Sequence, residues 1–215
     1  AELLKKPPYS YSKDTPAGEY AQSRLLSEGV EAAAAAYRQV KGSLYRVAET
    51  EKCVETPDFR GKIDRVDVSD HFVRIIDYKT GTVDDSVSSY YTGRKIQLEM
   101  YMAAAKGDKI PAGVFYFPAS LSFSDESDKP FRMRGFFVGD QDALTAGDPV
   151  MTAGEKGAES EFFASKNGET RNTHSMDRLT FLSFIEYSEF VAEGARKELK
   201  AGYIGVSPSK YACAY

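Results

Sequence analysis

Two stretches constrain this chain more than any other: residues 59–69, FRGKIDRVDVS, and residues 72–80, FVRIIDYKT. Each is an apolar, β-branched run, and only a short polar turn through Asp70 and His71 separates them, the pattern of adjacent antiparallel strands. That pairing brings Asp64 of the first strand towards Asp77 and Lys79 at the end of the second. Side chains alternate along a strand, so Asp77 and Lys79 share one face and Tyr78 takes the other. Two neighbouring carboxylates repel and raise each other's pKa unless a cation shares the site. A hard divalent ion such as Mg²⁺ (or Mn²⁺) resolves this with oxygen ligands while keeping several waters. A lysine beside it can orient or help deprotonate a water, or offset charge developing on a phosphate. Taken alone, Asp77 and Lys79 also read as a solvated ion pair worth about 0–1 kcal/mol. The surrounding sequence decides between the two.

An α/β fold with a mixed central sheet follows from the flanking patterns. Residues 19–45 carry Leu25, Leu26, Val30, Ala33, Ala34 and Tyr37 at helical spacing, after an irregular lead-in over 5–18. Strands are expected over 44–55, 59–69 and 72–80, then a polar loop over 81–93 and a helix over 95–106. Within that helix Gln97 and Tyr101 lie four residues apart and share a face. Further strands are expected in 112–123 and 131–139. Residues 140–172 read as loops with a short strand at 160–165, and a long helix over 176–200 has Ser175 as its N-cap and Gly202 as its stop.

Composition narrows the function classes. At 215 residues and 42% hydrophobic, the chain can bury the core of a single domain. Its net charge of -4 gives no global basic field, so a nucleic-acid partner must be held by a local patch or a bound metal. No apolar run is long enough to span a membrane. Two cysteines, Cys53 and Cys213, cannot build a disulfide framework, which fits a reducing cytoplasm. Cys53, on a strand, is expected in the core.

Three elements now stand together: Gly61, Ile63, Asp64, Arg65 and Asp67; then Asp77, Tyr78, Lys79 and Gly81; then Gly93, Gln97, Leu98 and Tyr101. Their combination resembles the PD-(D/E)XK nuclease superfamily, and within it the nuclease domain of the B subunit of AddAB-type helicase-nucleases. The resemblance runs through residues 44–118 and more weakly to the C-terminus. It implies a restriction-endonuclease-like sheet, with Asp64 and Asp77 as metal ligands, Lys79 as the catalytic lysine, and Gln97 with Tyr101 as an accessory pair. It implies a metal-dependent DNA exonuclease of double-strand break repair and recombination, joined to a helicase-nuclease A subunit. It also places Cys213 first in a C-terminal pair that would help hold a [4Fe–4S] cluster, so the chain is expected to be a fragment that stops short of the partner cysteine and carries no cluster. One departure stands out: the family's usual histidine or glutamate on a helix before the first strand has no match, and Glu28 or Glu31 is the nearest substitute. A stand-alone or CRISPR-associated exonuclease of the same superfamily, and a non-catalytic DNA-binding scaffold, remain as alternatives.

Other residues suggest contacts to DNA. Arg94 and Lys95 are candidates for phosphate contact, and Tyr90 and Tyr91 for stacking on single-stranded bases. Arg65 is expected to pair with a nearby acid.

Overall fold

A computed structural model describes residues 15–119, 131–151, 160, 162, 174–203 and 205. The first helix, α1 (Pro16–Lys41), starts earlier than the sequence pattern suggested. Thr15 caps it by accepting a hydrogen bond from the Gly18 amide, and Pro16 suits the first helical turn, where no amide hydrogen is needed. Strands β1 (Arg46–Glu55), β2 (Arg60–Val68) and β3 (Phe72–Lys79) form an antiparallel meander. The expected hairpin between β2 and β3 is present, its turn closed by the Ser69 amide donating to the Phe72 carbonyl.

From β3 the chain crosses through α2 (Val87–Tyr91) and α3 (Gln97–Ala105) to β4 (Ile110–Pro118), which lies parallel to β3. Both strands are covered on their two faces, which accounts for their nearly continuous apolar runs. Next come β5 (Arg134–Val138), antiparallel to β4, then α4 (Gln141–Gly147), and β6 (Ser175–Met176), parallel to β5. The result is a mixed six-stranded sheet in sequence order. The last helix, α5 (Arg178–Lys200), packs against α3. One side of the core joins Ile75, Leu98, Val114, Phe181 and Ile185. The other joins Ala32 and Ala35 of α1 to Ile76, Phe115 and Phe117.

Several local expectations change. The loop after β3 contains α2, whose cap is Ser86 accepting from the Ser89 amide. The stretch after β5 contains α4. Asp177 caps α5, not Ser175: its carboxylate accepts from the Thr180 amide at 2.9 Å, while Ser175 is drawn into β6. Cys53 is exposed, because it takes the outer face of β1 opposite Lys62 while Val54 takes the core face. Most of the strand expected at 160–165 lies outside the described residues, as does Cys213.

A buried ionic cluster ties β2 to β3. Asp67 accepts two hydrogen bonds from Arg65, at 2.7 and 2.6 Å, and one from Arg74 at 2.9 Å. Burial alone would raise the Asp67 pKa, yet the two guanidinium groups hold it below its ordinary value. Arg74 also lies 4.2 Å from the Tyr45 ring centroid, a cation–π contact that covers its second face. Asp67→Ala would leave both cations buried without their carboxylate, and should cost about 3–5 kcal/mol in denaturant unfolding. Because the native pKa is depressed, this contribution is fully present above the unfolded carboxylate pKa and fades as pH falls below it. A loss within error of zero at pH 7 would contradict the assignment.

Candidate active site

The Asp67 cluster holds β2 and β3 together only as far as the pair Arg65 and Ile76. Beyond it, β2 continues along β1 to Arg60, whereas β3 continues along β4 to Lys79. The strands therefore part, and Asp64 and Asp77 are the first residues past the fork. Asp64 spans the opening: its Oδ2 accepts a hydrogen bond from the Tyr78 amide at 2.8 Å, in place of the ladder bond lost there. Tyr78 points to the opposite side, where its hydroxyl accepts from Arg65 at 2.9 Å.

Asp77 is only 6% exposed. Burial raises its pKa above the ordinary value, the charge of Asp64 adds to the rise, and Lys79 opposes it. The Lys79 ammonium lies 2.7 Å from Asp77 Oδ2 and 5.5 Å from the Tyr116 ring centroid. Apart from this ion pair, Oδ2 accepts no well-formed hydrogen bond among the described residues. A buried carboxylate paired with one lysine and in electrostatic contact with a second carboxylate is a donor pair that suits a hard divalent cation. Among the described residues no group of three or more His, Cys, Asp or Glu side chains is arranged to hold a metal. Glu28 and Glu31 do not join Asp64 and Asp77. They bond to Arg24 and Ser27 along α1, and α1 packs on the Ile76 side of the sheet, opposite Asp77.

Gln97 and Tyr101 approach the fork from α3. The Gln97 amide donates to the Tyr101 hydroxyl at 2.9 Å, and that hydroxyl also accepts from the Lys62 amide at 3.3 Å, two residues from Asp64. Gly61 makes this possible, since a Cβ there would stand 2.5 Å from the Tyr101 ring. The pair thus braces α3 against the free arm of β2.

Comparison with known proteins agrees with this geometry. The model of the PD-(D/E)XK nuclease superfamily matches residues 1–215. The chain belongs to that superfamily. Its relatives include proteins named as the B subunit of an ATP-dependent helicase/deoxyribonuclease. That of Carboxydothermus hydrogenoformans is 28% identical over 69% of this chain and 16% of its own length. That of Clostridium kluyveri is 27% identical over 75% and 16%, and that of Caldanaerobacter subterraneus 30% over 70% and 15%. The chain therefore spans about one sixth of the length of these curated relatives.

The suggested DNA contacts fare unevenly in this nuclease-superfamily domain. Tyr91 is exposed, and Arg94 and Lys95 are exposed in the turn between α2 and α3, Arg94 donating to Ser89 at 2.8 Å. Tyr90 is not available for stacking on bases. It is 1% exposed, its ring lies face to face with Phe184 at 3.5 Å, and its hydroxyl donates to the Phe184 carbonyl. Helix α2 turns this ring inward to fill the space between Phe136 and α5.

One buried acid was missed. Glu99 sits between Leu98 and Met100 on the inner side of α3, in a narrow cavity shared with Asp84, Asp85, Lys95 and Tyr116. Its only sequence signal is an acid inside an apolar helical turn. Burial pushes its pKa up to about 8, and only its own backbone amide opposes the rise. From its ordinary value of 4.5 up to about 8, the native state keeps a proton that the unfolded chain has released, so stability falls as pH rises through that window. Glu99→Gln should therefore match the parent near pH 4.5 and melt on the order of 5 °C higher above pH 8. Parallel Tm curves for the two proteins across this range would refute the buried acid.

Proposed function

We propose that this domain is a metal-dependent DNA exonuclease module of an ATP-dependent helicase-nuclease, acting at DNA ends in double-strand break repair and recombination. The observation that carries the reading is the fork, which sets Asp64 beside Asp77 and Lys79 at the end of a strand pair. Membership of the superfamily supports phosphodiester hydrolysis, and the printed names of the relatives support DNA as the substrate and a helicase-nuclease as the setting. By the same resemblance, the partner is the helicase-nuclease A subunit, Cys213 belongs to a [4Fe–4S] cluster in the whole protein, and the work is done in the cytoplasm. No helix among the described residues is long and apolar enough to cross a membrane.

In this reading Asp64 and Asp77 hold Mg²⁺ or Mn²⁺. The bound ion would acidify a coordinated water and offset phosphate charge. The protein's own groups do the rest. Asp77 orients the Lys79 ammonium, whose side chain is 39% exposed and so can meet a phosphate oxygen or an attacking water. Asp64, fixed by the Tyr78 amide, keeps one oxygen directed by the backbone and leaves its other oxygen for a ligand. Gln97 spends its amide hydrogen on Tyr101, which leaves its carbonyl oxygen as an acceptor for water.

A digestion assay on single- and double-stranded DNA tests this. The parent should degrade DNA only with Mg²⁺ or Mn²⁺, and Lys79→Ala should lose about 10²–10³-fold in single-turnover rate. Gln97→Ala should lose about 10- to 100-fold with little change in stability. Mn²⁺ should raise the parent's melting temperature by mass action, and Asp77→Asn should abolish that gain. Equal rates for parent and Lys79→Ala, or an equal metal-induced gain in Asp77→Asn, would sink the proposal.

A further inference from the structure

Past the fork, β1 and β2 run on as a two-stranded ribbon, and its charges are arranged in order. Arg60, Lys62 and Asp64 are alternate residues of β2, so the pleat sets them on one face, roughly 6.6 Å from one to the next. Each cation is held by a carboxylate of the edge strand β1. Arg60 pairs with Glu55 directly across from it, at 3.9 Å. Lys62 pairs with Glu51. All four of these side chains are more than half exposed, so the pairs stay accessible to solvent. Glu51 occupies the register position opposite Asp64, between the pairs Thr50–Arg65 and Lys52–Ile63. It does so with φ at 55°, a left-handed conformation that a non-glycine residue adopts only under local constraint. Lys62 is also within electrostatic reach of Asp64.

We propose that Lys62 and Arg60 form a rail for the sugar-phosphate backbone of DNA leading to Asp64 and Asp77, with Glu51 and Glu55 standing in for phosphates until DNA displaces them. This rests on the nuclease reading above. The two cations are spaced close to successive phosphates of an extended strand, and they lie on the arm that carries a metal-ligand candidate. Solvent screens an exposed ion pair, so exchanging a carboxylate for a phosphate costs little. The rail is backbone-directed and sequence-independent, as expected for an enzyme that processes ends. Neither residue touches Asp77 or Lys79, so their contribution is to hold and orient the strand.

Binding of a fluorescein-labelled oligodeoxythymidylate in EDTA, where cleavage is suppressed, provides the test. Lys62→Gln and Arg60→Gln should each weaken binding about 3- to 10-fold at low salt, and each should flatten the slope of log Kd against log salt by about 0.7. Glu51→Gln should bind more tightly than the parent. Circular dichroism establishes that each variant is folded. A second measurement needs no change in the rail: Cys53 is exposed directly opposite Lys62. In a Cys213→Ser background, the oligonucleotide should slow maleimide alkylation of Cys53. Unchanged affinity and slope in both lysine and arginine variants, or no protection of Cys53 while the parent binds, would overturn the rail and leave the nuclease reading standing. A parent that neither binds nor digests DNA would overturn both.

Discussion

Everything about the candidate site depends on one buried carboxylate. Asp67 gathers Arg65 from its own strand and Arg74 from the next, and this fixes which residues of β2 and β3 face each other. A slip of one residue would turn every side chain to the wrong face. It would also separate Asp67 from Arg74 in the dry interior, where an unpaired charge is severely penalised. The cluster thus holds the register up to Arg65 and Ile76, one step before the strands part. A register error of any size would remove Asp64 from Asp77.

The fork converts a strand pair into a site because it frees polar groups that a continuing ladder would consume. The Tyr78 amide turns to Asp64 instead of to β2. Asp77 keeps its backbone pairing with Tyr116 on β4, so its side chain is held by a rigid central strand while its carboxylate stands at the opening. Burial and Asp64 both favour a protonated Asp77, and Lys79 alone opposes them. That balance makes a nearby cation the group that favours the ionised carboxylate. Burial pushes the Glu99 pKa up to about 8 with no ion pair to oppose it among the described residues, whereas two guanidinium groups hold the Asp67 pKa below its ordinary value. These three acids show how ionic partners decide the charge state of a buried carboxylate.

Much of this was legible in the sequence. The β2–β3 hairpin announced itself through its apolar runs and polar turn, the α3 helix through its spacing, and the α/β class through their alternation. Asp64 could be brought to Asp77 and Lys79 from the hairpin pairing, and Asp77 and Lys79 set on one face from period-two alternation. What could not be read was anything fixed by tertiary contact. Tyr90 and Tyr91 are adjacent aromatics in a polar loop, and only the packing of α5 makes one a core residue and the other a surface residue. Cys53 was expected in the core as a cysteine on a strand, yet it lies on the outer face of edge strand β1 opposite Lys62, while Val54 beside it turns inward. Ser175 and Asp177 are both good N-caps, and pairing with β5 decides between them.

The missing third acid follows from the same logic of faces. A helix ahead of β1 exists, and it carries Glu28 and Glu31, but its inward surface is the alanine side that packs over Ile76 and Phe115. Ile76 and Asp77 are consecutive strand residues and point opposite ways. No rotation of α1 about its own axis can carry its glutamates through the sheet to the Asp77 side. In the proposed reading Asp64 and Asp77 are the carboxylates offered to a divalent ion, which would draw most of its coordination from water and from phosphate oxygens. Such a site is completed by its substrate. This gives the charged ribbon beyond the fork its importance, because whatever aligns the phosphates along β2 also presents the oxygens that Asp64 and Asp77 cannot supply.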